Sequence, residues 1–105
     1  ESITEELRLK VPAKFKKVWL STEKKVWETW LSRQDGFLGR QIFWDKEKEE
    51  ALVLVYWKNK KLWKSISMQE VNEIQNEFEE NVKKSLNLET NPFLLIYEGE
   101  LVKQG

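Results

Sequence analysis

The order of strand and helix patterns along the chain predicts an α+β fold, in which two main helices cover one face of an antiparallel sheet. Three observations support this prediction. Segment 37–57 contains two strand patterns joined by a short polar loop. A helical pattern lies on each side of that segment, and a further strand pattern lies near each end of the sequence. The elements therefore follow the order β-α-β-β-α-β.

The first strand and the first main helix are separated by Pro12. Along 3–11, apolar and charged residues alternate, with Leu7 and Leu9 on one side and Arg8 on the other, which is typical of a strand. Pro12 ends the strand and suits the first turn of a helix. The helix predicted over 12–32 carries an apolar stripe at steps of three and four residues, made of Phe15, Val18, Trp19, Thr22, Val26 and Trp30.

The central hairpin follows a turn at Asp35-Gly36, since glycine adopts positive φ without steric cost. We predict strands over 37–44 and 51–57, with the polar run 45–50 between them. The strand over 51–57 is apolar on both faces, because Leu52, Leu54 and Tyr56 alternate with other bulky residues.

The second half of the chain contains two helices and the last strand. Asn59 is predicted to cap a short helix over 60–66, and Ser67 with Glu70 fits a capping box that begins the second main helix. Segment 87–92 is a polar linker, and 93–102 is the final strand, in which Gly99 indicates a bulge or bend. The core stripe of the second main helix comprises Val71, Ile74, Phe78 and Val82.

This element order is the ferredoxin-like arrangement, and it leaves one face of the sheet without helices. We assign Phe37 and Phe43 of the strand over 37–44 to one face of the sheet, and Leu38, Ile42 and Trp44 to the other. On the last strand, we assign Leu95 and Tyr97 to one face, and Leu94 and Ile96 to the other. Both faces are then apolar, and a second copy packed face to face would cover the open one. The charged side of the first strand, with Glu6, Arg8 and Lys10, indicates a cavity or a wet interface there.

The composition excludes several kinds of site and partner. The 18 basic and 18 acidic residues give no net charge, which argues against nucleic acid as a partner. Without cysteine or histidine, the chain cannot form disulfides, zinc–thiolate sites or a histidine–haem bond. No apolar run is long enough to cross a bilayer. We expect one domain over 1–105 with no metal and no cofactor, in the cytoplasm or exported if a signal preceded Glu1.

Five segments resemble a family of small proteins in the dimeric α/β-barrel superfamily, whose best-known branch is the antibiotic-biosynthesis monooxygenases. They are Val11-Pro12, Glu23 with Val26-Trp27, Asp35 to Gly39, Val53 to Trp57 and Leu62 to Ile66. The resemblance covers nearly the whole chain. It implies two ferredoxin-like protomers packed sheet to sheet, each with a pocket between sheet and helices. It argues against haem degradation, because that branch uses a histidine that this chain lacks.

Two functions fit this resemblance, and the fold alone does not choose between them. The first is a homodimer that binds a small apolar or aromatic molecule in its cavity, with Trp63, Trp44, Tyr56 and Trp27 as the ligand-binding residues. The second is a cofactor-free monooxygenase acting on a phenolic or polyketide-like substrate. A purely structural dimer, whose tryptophans belong to the core, is the third possibility.

The enzyme hypothesis names Glu23, Arg8 and Asn59 as candidate catalytic residues. Glu23 lies among tryptophans, where burial would raise its pKa and suit it to act as a base. Arg8 would hold an anionic substrate oxygen, and Asn59 would hold a phenol. This hypothesis requires Glu23 and Arg8 to share one pocket. The alternative for Glu23 is an ion pair with a lysine or arginine of a strand or a partner chain.

Overall fold

The computed structural model describes residues 1–105 and confirms the predicted α+β, ferredoxin-like fold. A single 3₁₀ turn, Ala13–Phe15, precedes the first main helix, and a π-helical segment, Glu23–Glu28, interrupts it. The remaining elements are β1 (Ile3–Lys10), α1 (Lys16–Thr22), α2 (Thr29–Leu31), β2 (Phe37–Asp45), β3 (Glu50–Trp57), α3 (Lys60–Lys64), α4 (Met68–Leu86) and β4 (Leu95–Leu101).

The four strands form one antiparallel sheet in the order β2-β3-β1-β4. One face of β3 is buried beneath the helices, and its residues there are Ala51, Val53, Val55 and Trp57. Trp19 of α1 and Phe78 of α4 are among the residues that complete this core. The other face, which we call the open face, carries no helix and contains Leu52, Leu54 and Tyr56 of β3.

A bulge in β2 corrects the predicted assignment of its side chains to faces. The pairing with β3 shifts by one residue between Phe37 and Gly39, so the alternation reverses there. Ile42 and Trp44 consequently lie on the helix-covered face with Phe37, whereas Phe43 lies on the open face and is 50% exposed. The predicted grouping of Phe37 with Phe43 was wrong because it assumed an unbroken strand.

A second irregularity lies in β4, away from the glycine that was expected to cause it. The pairing with β1 skips Ile96, so Leu95 and Tyr97 face opposite sides of the sheet rather than the same side. Gly99 pairs regularly and is neither bulge nor bend. A Cβ at Gly99 would lie 2.6 Å from Tyr97 Oη, so the glycine leaves room for the tyrosine ring.

Side-chain caps begin both helices of the second half, as predicted. Asn59 Oδ1 accepts a hydrogen bond from the Leu62 amide at 2.8 Å, and Ser67 Oγ accepts one from the Glu70 amide at 3.1 Å. The capping box is only half formed, because the Glu70 carboxylate accepts a hydrogen bond from Trp30 Nε1 at 2.8 Å. None of the helices combines the length and the apolar run that crossing a membrane requires.

Candidate functional site

Glu23 forms a buried ion pair with Arg40 of β2. Arg40 Nη1 lies 2.7 Å from Glu23 Oε1, and Arg40 Nη2 donates to the Glu23 carbonyl oxygen at 3.1 Å. Arg40 Nε also donates to Glu28 Oε1 at 3.2 Å, so one guanidinium holds both ends of the π-helical segment. Burial raises the pKa of Glu23, and the charge of Arg40 opposes that rise. The arrangement matches the alternative for Glu23, an ion pair with a strand arginine.

Arg8 lies on the other side of the sheet. Its β1 position pairs with Leu52 and Tyr97, which belong to the open face, and its guanidinium is 3.6 Å from the carboxylates of Glu6 and Glu50. The sheet therefore separates Arg8 from Glu23 within a protomer. The shared pocket that the enzyme hypothesis required for these two residues is not formed.

Asn59 is the N-cap residue of α3, and Trp63 lies four residues later in the helix. Asn59 Oδ1 is used as the helix cap, but its amide nitrogen donates no hydrogen bond within the chain. Trp63 is half-buried against the core, and its indole N–H is likewise unused. The Lys64 ammonium lies 4.0 Å from the centre of the Trp63 ring. The start of α3 therefore carries two side chains with unused N–H donors, and one of them is an aromatic ring in contact with a cation.

Glu5 is a carboxyl group near α3 that our sequence analysis did not single out. Its Oε1 accepts a hydrogen bond from Trp57 Nε1 at 3.2 Å. Burial raises the pKa of Glu5; the Trp57 hydrogen bond and the Lys64 charge lower it, while the Glu98 charge raises it further. A signal for Glu5 was present in the sequence, because it is the one charged residue on the apolar side of the first strand.

A groove lies between α1 and the outer edge of β2, with a volume of about 370 Å³. We call it the α1–β2 groove. Lys16 and Lys24 lie at its rim, and its walls are Trp19, Leu20, Ile42, Phe43 and Trp44. Such a combination of aromatic walls and a few polar groups is typical of small-molecule sites.

The two tryptophans of the α1–β2 groove differ in how their N–H groups are used. Trp44 Nε1 donates to the Val11 carbonyl oxygen at 3.0 Å, and the Lys16 ammonium lies 4.3 Å from the centre of the Trp44 ring. Trp19 is 1% exposed, and its Nε1 is the chain's only buried side-chain nitrogen or oxygen without a hydrogen-bond partner. Natively buried donors without partners are uncommon.

The four residues predicted to bind a ligand do not surround one cavity of the protomer. Trp44 lines the α1–β2 groove, and Trp63 lies on α3, near the other end of β3. Tyr56 lies on the open face, where its hydroxyl donates to Gln41 Oε1. Trp27 packs edge to face on Trp30, with 5.7 Å between ring centres. Sequence periodicity could not show which of these aromatic residues are neighbours.

Solved structures of several oxygenases share this architecture. SnoaB, a cofactor-independent oxygenase from Streptomyces nogalater, superposes with a TM-score of 0.64 over 100% of this chain and 95% of its own, at 14% identity. The chain has the antibiotic-biosynthesis-monooxygenase-like fold. A monooxygenase from the gene ActVA-Orf6 of Streptomyces coelicolor, solved with nanaomycin D, gives a TM-score of 0.71 over 99% of this chain and 88% of its own, at 10% identity.

A protein described only as conserved shares this fold as well. A conserved protein from Methanosarcina mazei Go1 gives a TM-score of 0.58 over 98% of this chain and 93% of its own, at 14% identity. No protein-family model and no curated protein matches the sequence. At these identities the likeness establishes the fold and leaves the reaction open.

Proposed function

We propose that the protein is a homodimer in which the open faces of two sheets pack against each other. Leu52, Leu54 and Tyr56 form an apolar stripe along the middle of that face, and Phe43 and Tyr97 on the outer strands are about half exposed. Burying such a patch removes apolar surface from water, at about 25 cal/mol per Å². The resemblance to dimeric α/β-barrel proteins supports the same arrangement.

We further propose that each protomer binds a small apolar or aromatic molecule in the α1–β2 groove. One observation carries this proposal: five of the seven residues around the groove are hydrophobic, and three of those five are aromatic. The volume of about 370 Å³ is near the lower end of the range of about 300–1,000 Å³ for small-molecule pockets. That space suits a molecule of one or two fused rings.

A titration with an uncharged aromatic probe tests the binding proposal. We expect 2-naphthamide to bind the protein with a heat signal in calorimetry. Leu20 lies in the groove wall, so Leu20→Trp should fill the space and abolish the signal. Leu38→Trp is the matched control, since Leu38 is 62% exposed and outside the groove. Absence of binding to the unmodified protein, or equal binding to both variants, would reject this site.

A second candidate function is a cofactor-free monooxygenase, and the donors on α3 favour it. The free N–H groups of Asn59 and Trp63 could hold a phenolate oxygen by hydrogen bonds. Glu5, with its raised pKa, would be the group that takes the phenol proton. In this reaction dioxygen is the oxidant: one oxygen atom enters the ring to give a quinone and the other leaves as water.

Oxygen uptake with 1,5-dihydroxynaphthalene and no added cofactor tests the second candidate. Asn59→Asp keeps an oxygen for the helix cap but removes the amide donors, so we expect uptake to fall by about 10²-fold without loss of folding. Asn72→Asp, on the exposed surface of α4, is the control and should retain the full rate. No uptake above the protein-free background would reject this function.

A further inference from the structure

The rim of the α1–β2 groove carries two lysines that lack a carboxylate partner. Neither Lys16 nor Lys24 forms an ion pair, although seven ion pairs occur elsewhere in the chain. The two residues are separated by eight positions, which corresponds to about 12 Å along the helix axis. The groove therefore has an uncompensated positive rim in a protein with no net charge.

The aromatic wall next to this rim is held by a hydrogen bond, whereas the cation over it forms no hydrogen bond or ion pair. The hydrogen bond from Trp44 Nε1 to the Val11 carbonyl oxygen fixes the indole. Lys16 rests over the indole ring, with 4.3 Å between Nζ and the ring centre. A carboxylate offers that ammonium a charge-assisted hydrogen bond, which is stronger than an exposed cation–π contact. Moving Lys16 onto a carboxylate would also uncover the ring face for stacking.

The groove therefore combines an aromatic surface with two unpaired cations, and these two features match different parts of one kind of molecule.

We infer that the ligand of the α1–β2 groove is a small aromatic carboxylate, whose ring packs on Trp44 and whose carboxylate binds Lys16 and Lys24. This inference rests on the proposed binding function and adds the chemical class of the ligand. The aromatic walls of the groove fit the ring of such a ligand, and the unpaired rim lysines fit its negative charge.

Calorimetry with 2-naphthoate and 2-naphthamide tests the inference, because the two probes share a ring system and differ in charge. We expect 2-naphthoate to bind about tenfold more tightly, equivalent to about 1.4 kcal/mol. Lys16→Gln and Lys24→Gln should each weaken 2-naphthoate several-fold relative to 2-naphthamide. Lys17→Gln is the matched control, since Lys17 is an exposed lysine of α1 outside the groove. Added salt should shrink the difference between the probes.

The possible outcomes distinguish this inference from the proposal that the α1–β2 groove binds a small molecule. Equal affinity for the two probes, or equal effects of Lys16→Gln and Lys17→Gln, would overturn the carboxylate assignment and leave an apolar binding groove standing. Failure of both probes to bind would reject the groove as a binding site, and the inference with it. Tighter binding of 2-naphthoate that depends on the two rim lysines would support both.

Discussion

Arg40 Nη1 of β2 lies 2.7 Å from Glu23 Oε1 in the first main helix, and the side chains are 4% and 9% exposed. Because removal of one partner leaves a buried charge unpaired, we predict that Arg40→Met lowers the free energy of unfolding by about 3–5 kcal/mol. Chemical denaturation followed by tryptophan fluorescence measures the change.

The double variant Arg40→Met/Glu23→Leu should recover most of that loss, since an apolar pair of similar volume needs no charge partner. Arg33→Met is the control, because Arg33 is exposed and forms no ion pair. Additive losses in the double variant would show that the two side chains do not stabilise each other.

The turn before β2 depends on a glycine that touches α3. Gly36 has φ of +86°, and a Cβ there would lie 2.8 Å from the Leu62 Cβ. We predict that Gly36→Ala lowers the free energy of unfolding by more than backbone strain alone, which costs about 1–2 kcal/mol. Gly39→Ala also places alanine at positive φ but meets no atom within 4 Å, so it reports the strain alone. If the two variants lose the same stability, the contact with Leu62 has no energetic weight.

Glu5 should make stability depend on pH. Its folded-state pKa is raised, so the folded protein binds this proton more tightly than the unfolded chain. The resulting stabilisation is complete below the ordinary pKa of 4.5 and is lost as the pH rises through the folded value. Glu5→Gln keeps an acceptor for Trp57 and cannot ionise. We therefore predict that this variant loses less stability than the unmodified protein as the pH rises above 4.5.

Urea denaturation across that pH range measures the difference between the two curves. Glu77→Gln, on the exposed side of α4, controls for the loss of one negative charge. Parallel curves for Glu5→Gln and the unmodified protein would contradict the prediction.

Sequence patterns predicted what depends on local chemistry. The order of elements, the caps at Asn59 and Ser67, and the ion-pair alternative for Glu23 each follow from residue type and spacing. The bulges at Leu38 and Ile96 depend on how one strand pairs with another, and Ile96 carries no local signal for a bulge. The sequence did not predict the α1–β2 groove, because the residues that line it are distant in sequence. In addition, the bulge in β2 places Trp44 on the helix-covered face of the sheet.

Leu54 lies at the centre of the open face, between Glu6 of β1 and Gln41 of β2. In the proposed homodimer this position is buried against the partner, so a glutamate there would bury a second carboxylate beside Glu6. We predict that Leu54→Glu separates the protomers. Met68→Glu, on an α4 side chain that is 69% exposed, should leave the assembly unchanged.

The native mass in solution, measured by light scattering at several protein concentrations, tests the homodimer most directly. We predict twice the chain mass of 12.7 kDa for the unmodified protein and for Met68→Glu, and the single chain mass for Leu54→Glu. A mass of 12.7 kDa for the unmodified protein at every concentration would contradict the proposed packing of the open faces.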